Sequence, residues 1–579
     1  MSKQTANSKN RSVSGFLYII IAIIIVIIIL LIGAATLCIS AFRPSSKQAD
    51  LSSYLSELFP SYDNDAYGIL IRGDSIEDTT AYFAYNRAYL PLSYAQSLNS
   101  RIYWDSDNLQ LRYCLPERVL VTEANSYEYN NGTELVSIAA PYVIYDSTED
   151  SVYISVEFIA DHTDMVYGTF SEPNRLWIVT EEDEADLIYA TVIEESEDGT
   201  AMRTAPSIKA DIVENLDFGE AVLVLGVEKS FTLVRDSQGI SGYIKSDRLS
   251  DAAPIPAIDS GYTEPEYPSL SVGSDICLLW HQTLGGDDGV AALPDILDRT
   301  DGKINVIAPT FFLVADEAGN LDASAATKEY VSLAHEHELY VWAMVDNINI
   351  SIDSYALLSN TEARNNLIDR LIANANEFDL DGINVDFEGL TAECGPHYLE
   401  FIRELSVACR REGLYLSTDN YVPSEYTAFY DRAEQGIWCD YVIMMGYDEH
   451  YAGSEPGSTA SLSFVQQGIE DSLAQIPAEK FICGVPFYAR LWNLTDGSSK
   501  AVGMTTCMEL SETYGANRSW QEETGQNFLT FEEDGSAYEI WLEDLSSQKA
   551  RLALIRQYRI AGIGCWKAGL DLEEVWELY

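Results

Sequence analysis

Eight short apolar segments, most of them separated by helical patterns, run through the chain from residue 276 to residue 566. Strands that alternate with helices are typical of βαβ units, in which the strands lie parallel in one sheet. Eight such units are the number that closes a (β/α)8 barrel, an α/β fold. We therefore predict one barrel over residues 272–579. Its predicted strands are 276–280, 304–312, 339–345, 382–388, 414–418, 441–447, 481–487 and 562–566, with helices such as 323–337 and 361–378 between them.

The interval between the seventh and eighth predicted strands is longer than the others. Residues 493–542 fill most of it. A segment of this length exceeds an ordinary loop between a strand and a helix. We expect an inserted small α+β subdomain that forms one wall of a cleft.

The fourth predicted strand carries polar side chains on one face. Successive side chains of a strand point to opposite sides, so Asn384, Asp386 and Glu388 share one face and the apolar residues between them share the other. Burying such groups costs several kcal/mol (~2–7 for a neutral polar group) unless each has a partner, which argues against a merely structural origin. Glycoside hydrolysis uses paired carboxyl groups, and a glycosidase is the hypothesis that this strand suggests.

Other polar and aromatic residues follow the sixth and eighth predicted strands. Met444, Tyr447 and Asp448 lie at the end of the sixth strand, and Trp566 ends the eighth. A single acidic strand end is compatible with a metal or structural site. In (β/α)8 barrels, function resides at the carboxyl ends of the strands, so three such ends converging favour an active site.

These residues resemble a known family. Residues 381–388, DGINVDFE, are similar to the DGxDxDxE signature of glycoside hydrolase family 18, and 446–448, 484–490 and Trp566 fall at other landmarks of that family. The resemblance covers residues 272–579. Within the family, the chain looks most like the bacterial branch of spore-cortex and cell-wall N-acetylglucosaminidases, which often carry Asn at the position of Asn384.

The resemblance implies a mechanism without a protein nucleophile. The substrate's own 2-acetamido oxygen would attack the anomeric carbon, with retention of configuration. No cofactor and no metal are implied. The implied catalytic residues are Glu388 as general acid and base, Asp386 orienting the acetamide N–H, and Tyr447 donating to the acetamide oxygen; Asp448, Trp566, Asn384 and Met444 are the implied substrate-binding residues.

Asn384 is the departure from the pattern, because chitinases usually have Asp there. A second Asp can share a proton with Asp386 as a coupled pair, whereas an amide only hydrogen bonds. We therefore expect one titration fewer in the acid limb of the pH–rate profile than in Asn384→Asp.

Residues 16–42 contain no charged residue and are dominated by Ile and Leu. These 27 residues exceed the roughly 20 that span a bilayer, so we expect a membrane helix. A cleaved signal peptide is the alternative. Positive charges without acids in residues 1–15 predict a cytoplasmic amino-terminal tail and extracellular carboxy-terminal domains.

Residues 54–183 contain an internal repeat. Segments around Tyr89 and Tyr103 recur around Tyr153 and Tyr167, with an offset of 64 residues in both cases. Each copy is predicted to form a strand, a short helix and a hairpin. The region resembles the stalk-like domain at the start of some copper amine oxidases, and without a His cluster no copper is implied.

Residues 187–250 consist of short predicted strands separated by turns, and they resemble a bacterial SH3 domain. Such modules often bind cell-wall peptides, and a small barrel that serves only as a spacer is the alternative. A linker punctuated by proline, residues 251–271, connects this module to the predicted barrel.

The net charge of −56 repels phosphate backbones and argues against a nucleic-acid partner. The function that fits best is a membrane-anchored surface enzyme cleaving N-acetylglucosamine-containing glycans, most simply peptidoglycan. Chitin or its oligosaccharides are the alternative substrate. The alternative from outside the enzymes is a glycan-binding scaffold whose barrel has lost catalytic activity. The presence of Glu388, Asp386 and Tyr447 argues against it.

Overall fold

The computed structural model describes residues 9–59, 66–254, 259–348 and 352–579. Residues 1–8 of the predicted tail, 60–65 of the predicted stalk and 255–258 of the predicted linker lie outside the described residues. Two compact units result. The first comprises residues 1–99 and 140–264, and the second comprises residues 100–139 and 265–579.

Two helices precede the first sheet, α1 (Lys9–Phe42) and α2 (Leu51–Leu58). The part Phe16–Phe42 of α1 is uncharged, and none of its residues is buried. In the described part of the chain, α1 is the helix that is long and apolar enough to cross a membrane. The structure thus has the apolar helix near the amino terminus that the sequence predicts.

The predicted repeat corresponds to two runs of elements in the same order. Strand β3, helix α3 and the hairpin β4–β5 form the first run, and β10, α4 and β11–β12 form the second. The two hairpins join different sheets, of order β11-β12-β1-β2-β3-β10-β9 and β4-β5-β6-β7-β8. The bounds are β1 (Tyr67–Arg72), β2 (Ser75–Ala84), β3 (Arg87–Pro91), α3 (Leu92–Leu98), β4 (Tyr103–Asp105), β5 (Gln110–Leu115), β6 (Arg118–Glu123), β7 (Glu128–Asn130), β8 (Leu135–Ser137), β9 (Val143–Asp146), β10 (Ser151–Ser155), α4 (Val156–Asp161), β11 (Val166–Phe170), β12 (Arg175–Val179) and α5 (Glu181–Glu184).

The region expected to be SH3-like forms one antiparallel sheet. Its strand order is β15-β14-β18-β17-β16-β13-β19. Buried Val192, Met202, Val234 and Ile244 contribute to its apolar core. The bounds are β13 (Ile188–Thr191), β14 (Thr200–Arg203), β15 (Ile212–Leu216), β16 (Ala221–Glu228), β17 (Phe231–Arg235), β18 (Ser241–Lys245) and β19 (Ala253–Pro254).

The second unit contains the barrel, and all eight predicted strands are present. Strands β20, β21, β24, β25, β26, β27, β28 and β34 pair in parallel in this order, and β34 pairs back onto β20. The (β/α)8 prediction is confirmed. The bounds up to β28 are β20 (Ile276–His281), α6 (Gly286–Thr300), β21 (Val306–Pro309), β22 (Phe312–Val314), β23 (Leu321–Asp322), α7 (Lys328–Glu336), β24 (Tyr340–Asp346), α8 (Ser354–Ser359), α9 (Thr361–Phe378), β25 (Gly382–Asp386), α10 (Gly395–Glu412), β26 (Tyr415–Tyr421), α11 (Arg432–Trp438), β27 (Tyr441–Met445), α12 (Leu462–Leu473) and β28 (Phe481–Pro486).

An α+β insertion lies between β28 and the last barrel strand. It begins at Tyr488 rather than at residue 493, because the chain turns directly from β28 into the insertion's own sheet, of order β30-β29-β33-β32-β31. The bounds are β29 (Tyr488–Asn493), β30 (Ser499–Gly503), α13 (Met504–Tyr514), β31 (Ser519–Gln521), β32 (Gln526–Glu533) and β33 (Ser536–Leu542), followed by α14 (Leu545–Ile555) and β34 (Gly562–Trp566).

The sheet of residues 100–139 packs against the barrel through buried ion pairs. Arg112 lies 2.7 Å from Glu404 of α10, and Arg364 of α9 contacts the other oxygen of Glu404 at 3.1 Å. Arg101 pairs with Glu434 of α11 at 2.9 Å. All five side chains are largely or wholly buried. Buried charges require such partners, which explains why this segment groups with the barrel rather than with the rest of the predicted stalk.

Candidate active site

Strand β25 presents its polar face to the barrel interior. Ile383 and Val385 lie in the apolar core cluster, together with barrel-helix residues such as Leu371 and Phe401. Asn384, on the opposite face, meets Trp280 of β20 across the barrel, with indole Nε1 donating to Oδ1 at 3.0 Å. The alternation predicted from the sequence is therefore present. The strand delivers Asp386, and two residues later Glu388, to the carboxyl-terminal end of the barrel.

Two neighbouring strand ends hold Glu388. The hydroxyl of Tyr421, at the end of β26, donates to Oε2 of Glu388 at 2.6 Å. The side-chain amide of Asn347, just after β24, accepts from the backbone N–H of Glu388 at 2.8 Å and donates to its carbonyl at 2.9 Å. Glu388 is partly exposed. Its backbone is fixed, while its carboxylate remains accessible from the mouth of the barrel.

Asp386 is the deeper of the two carboxyl groups, with 4% of its surface exposed. Burial raises the pKa of Asp386 well above its usual range, and the charge of Asp419 is the next cause. Its Oδ1 atom is buried and has no hydrogen-bond partner among the described residues. A buried acceptor without a donor is costly, so this oxygen is available to a ligand that brings an N–H or O–H group.

Asn384 lies beneath the site and does not line it. It has no exposed surface. Its Nδ2 donates to Ser417 at 3.0 Å and to Asp419 at 2.9 Å, and its Oδ1 accepts from Trp280. Both amide donors and the carbonyl are occupied by hydrogen bonds within the protein, and a substrate-binding role for Asn384 stays a prediction.

Asp419 is a functional candidate that the sequence reasoning missed. It lies on β26, is 3% exposed, and burial raises its pKa to about 8. Ser417, Asp419 and Tyr421 share one face of the strand, but Thr418 and Asn420 between them are polar as well, so the sequence lacks the clear alternation that reveals β25. The expectation of one titration fewer assumed that no second carboxyl group stands beside Asp386, and Asp419 supplies one.

Tyr447 and Asp448 follow β27 at the same end of the barrel. Burial raises the pKa of Tyr447 well above its usual range, and the charges of Asp419, Asp386 and Glu388 add to the rise. Its ring meets that of Tyr488 edge-on at 6.1 Å. Asp448 is exposed and accepts a 2.6 Å hydrogen bond from the Tyr488 hydroxyl. Tyr488, the first residue of the insertion, therefore positions both.

Met444 does not line the site. Its sulfur accepts from the Ser472 hydroxyl of α12 at 3.5 Å, and a Cβ on Gly468 of the same helix would lie 2.7 Å from it. A substrate-binding role for Met444 stays a prediction, although the side chain points away from the interior. The reason is strand parity: Tyr441 and Ile443 of β27 point inward, and Met445 shares their face.

Trp566 ends β34 beside the interior layer. Its ring meets that of Trp280 at 5.8 Å with an interplanar angle of 63°. The Lys567 ammonium lies 5.8 Å from the Trp566 ring centroid. One edge of Trp566 thus rests on the core, and the side chain remains partly exposed at the strand end.

The barrel matches one family of known proteins. Residues 297–571 match the model of "Glycosyl hydrolases family 18". This match spans β21 to β34 and includes every strand end described above.

Three bacterial relatives share this part of the chain. An uncharacterized glycosylase of Bacillus subtilis (strain 168), YvbX, is 27% identical over 311 residues, which are 51% of this chain and 89% of YvbX. The cortical fragment-lytic enzyme of the same organism is 27% identical over 233 residues, 38% of this chain. The cortical fragment-lytic enzyme of Bacillus anthracis is 25% identical over 285 residues, 46% of this chain. The chain spans 54% and 66% of the length of these two enzymes. Residues 297–571 are thus a domain of glycosyl hydrolase family 18, and the protein that carries it is a glycosidase.

Proposed function

We propose that this protein is a membrane-anchored, outward-facing glycosidase that cleaves β-1,4 bonds next to N-acetylglucosamine in peptidoglycan, with retention of configuration. The observation that carries the proposal is the pairing of two carboxyl groups two residues apart: a buried oxygen of Asp386 that has no hydrogen-bond partner within the described part of the chain, and the accessible carboxyl group of Glu388. Such an oxygen suits the N–H of a substrate acetamido group, and an accessible carboxyl group suits proton transfer to the glycosidic oxygen.

In the proposed reaction, Glu388 protonates the departing glycosidic oxygen. The substrate's acetamido oxygen attacks the anomeric carbon as the glycosidic bond breaks, which forms a cyclic oxazolinium ion. Asp386 accepts the acetamide N–H and stabilises the positive charge that develops. Glu388, now ionised, takes a proton from the water that opens the ring, so the same residue is acid and then base.

Three further residues are assigned to the sugar. Tyr447 donates its hydroxyl to the acetamide oxygen, because its raised pKa keeps it protonated at neutral pH. Asp448 accepts from sugar hydroxyls, since it is exposed and its orientation is fixed by Tyr488. The partly exposed ring of Trp566 supports the apolar face of the sugar.

Peptidoglycan is favoured over chitin by two observations. Relatives named as cortical fragment-lytic enzymes share the barrel sequence. The 27-residue apolar segment of α1 would tether the enzyme at the membrane beneath the wall, with residues 1–15 in the cytoplasm. The stalk of residues 54–183, apart from residues 100–139 that pack against the barrel, and the SH3-like module of residues 187–250 would then lie on the wall side. Wall peptides are the candidate ligands of the module. Chitin oligosaccharides and a non-catalytic scaffold role are the alternatives to test.

The test uses the full chain in detergent with purified peptidoglycan and with chitin oligomers, and mass spectrometry identifies the reducing ends. New reducing ends on N-acetylglucosamine are expected from peptidoglycan, whereas ends on N-acetylmuramic acid would refute the bond assignment. Glu388→Gln should reduce the rate by a factor on the order of 10²–10⁴. The exposed residue Glu425 supplies the matched control, Glu425→Gln, which should keep wild-type activity. Faster cleavage of chitin than of peptidoglycan would favour the first alternative, and binding without cleavage would favour the second.

A further inference from the structure

Three carboxyl groups lie side by side on three neighbouring barrel strands. Asp346 of β24 pairs with Asp386 of β25. The register of β25 and β26 matches Val385 with Thr418, so the next rung places Asp419 beside Asp386. Neighbouring strands lie about 4.8 Å apart. Asp386 and Asp419 are 4% and 3% exposed, so bulk water screens neither of them effectively.

Among the described residues, no ion pair includes Asp346, Asp386, Asp419 or Glu388. Two buried like charges at this separation cannot both be ionised at modest cost, so the pair Asp386–Asp419 retains a proton. In the ranges that the structure describes, the titratable groups that interact electrostatically with the pair are acids and phenols, namely Asp346, Glu388, Tyr398, Tyr421, Tyr430 and Tyr447.

We propose that Asp419 is a positioning residue that shares one proton with Asp386 and takes it over when Asp386 becomes charged against the substrate. The O–H bond on Asp386 breaks and an O–H bond forms on Asp419, so the pair keeps one proton and one negative charge throughout. Asn384 donates to Oδ1 of Asp419 at 2.9 Å and so orients this carboxyl group. The inference rests on the proposed function, in which the negative charge on Asp386 is needed opposite the oxazolinium ion.

Asn384 cannot perform this task itself. An amide has no site that accepts a proton at ordinary pH, and both of its N–H groups already donate to Ser417 and Asp419. The strand that carries Glu388 therefore has one carboxyl group of the proton-sharing pair, and the next strand has the other. Asn384 lies between them and fixes the orientation of Asp419.

The first test transposes the amide and the acid in the full chain. Asp419→Asn should lower kcat by a factor on the order of ten and remove one of the two titrations of the pair from the pH profile of kcat, because Asp386 then titrates alone. The double variant Asn384→Asp/Asp419→Asn returns a carboxyl group next to Asp386 and should restore much of the rate and the wild-type shape. A single variant whose profile superimposes on that of the wild type, or a double variant no better than the single one, would overturn the proposal.

The second test needs no turnover and so separates this inference from the proposed function. The infrared C=O stretch of a protonated carboxyl group should be present in the wild type at pH 7 and lost as the pH is raised to about 9. Both Asp419→Asn and Asp386→Asn should remove this component, so failure of one variant to fold leaves the other. Asp369→Asn, at an exposed position of α9, is the control and should leave the spectrum unchanged. An unaltered band in the folded variants would refute proton sharing even if the enzyme is active.

Discussion

The hydroxyl of Tyr421 donates a 2.6 Å hydrogen bond to Oε2 of Glu388. Tyr421 ends β26, and Glu388 lies two residues beyond the end of β25, so the bond joins two neighbouring strand ends at the mouth of the barrel. Gly389 N–H donates in turn to the Tyr421 hydroxyl at 3.3 Å. Because Gly389 fixes the Tyr421 hydroxyl and Tyr421 in turn fixes the Glu388 carboxyl group, Glu388 has fewer orientations to lose when the substrate binds.

Tyr421→Phe should therefore lower kcat with little change in KM. A hydrogen bond to a charged group contributes about 1.5–3 kcal/mol, so we expect a loss of roughly 10- to 100-fold in kcat. Steady-state kinetics on soluble glycan fragments measure both constants. The control is Tyr426→Phe, at a position that is 90% exposed and just beyond the same strand. Equal kinetics for the two variants would contradict the role of the Tyr421 hydroxyl.

The stability of the protein should depend on pH through Asp419. Its pKa is raised in the folded protein to about 8, whereas an unfolded chain has an Asp pKa of about 3.9. The folded state thus binds this proton more tightly, and the resulting stabilisation is complete below about pH 4 and is lost as the pH rises through about 8. Between pH 5 and 8 the Tm of the wild type should fall more steeply than that of Asp419→Asn. Parallel Tm curves from thermal denaturation would disprove this.

The two neighbouring methionines of β27 should respond differently to truncation. Met444→Ala leaves a cavity against α12 and should cost about 2–5 kcal/mol of unfolding free energy, with KM unchanged. Met445→Ala removes a side chain that alternation along β27 places on the interior face with Tyr441 and Ile443, and it should alter kcat or KM more than it lowers Tm. Denaturant titrations and kinetics on both variants separate the two effects. A several-fold change in KM in folded Met444→Ala would contradict the inferred parity.

Arg364 should be essential for the stability of the second unit. Its guanidinium has no exposed surface and donates to Glu404, to the Tyr103 hydroxyl and to backbone carbonyls. Arg364→Ala leaves Glu404 with one cation among the described residues, Arg112, and we expect the free energy of unfolding to fall by about 3–5 kcal/mol. Chemical denaturation measures this. Arg370→Ala, at an exposed position of the same helix, should be nearly neutral, and a comparable loss there would point to helix propensity instead.

The site was only partly readable from the sequence, and β26 shows why. In β25 the residues that face the helices are apolar, so the polar face stands out. In β26 the outward-facing Asn420 is also polar, because it exchanges hydrogen bonds with Gln435 of α11 at 2.9 and 3.0 Å. With polar residues on both faces, the segment shows no alternation of polar and apolar residues that would single out Asp419 and Tyr421.

The barrel was predictable because its buried strands are apolar runs, which the local sequence displays. The association of residues 100–139 with it was not. The first copy of the repeat has the same sequence pattern as the second. Its Arg112 and Arg101, however, form ion pairs with Glu404 and Glu434, roughly 300 residues away along the chain. Local pattern predicts the elements of a repeat and cannot predict which distant charges they meet.

The buried pairing of Arg112 with Glu404 also limits how such a chain can be rearranged. A recombination event within residues 251–271 would separate the barrel from the strands that neutralise the acids of α10 and α11. Residues 297–571, which match the family, therefore cannot be transferred between proteins as a self-sufficient glycosidase domain. Its inheritable unit is discontinuous, and an exchange of modules that preserves the enzyme must carry residues 100–139 along with residues 265–579.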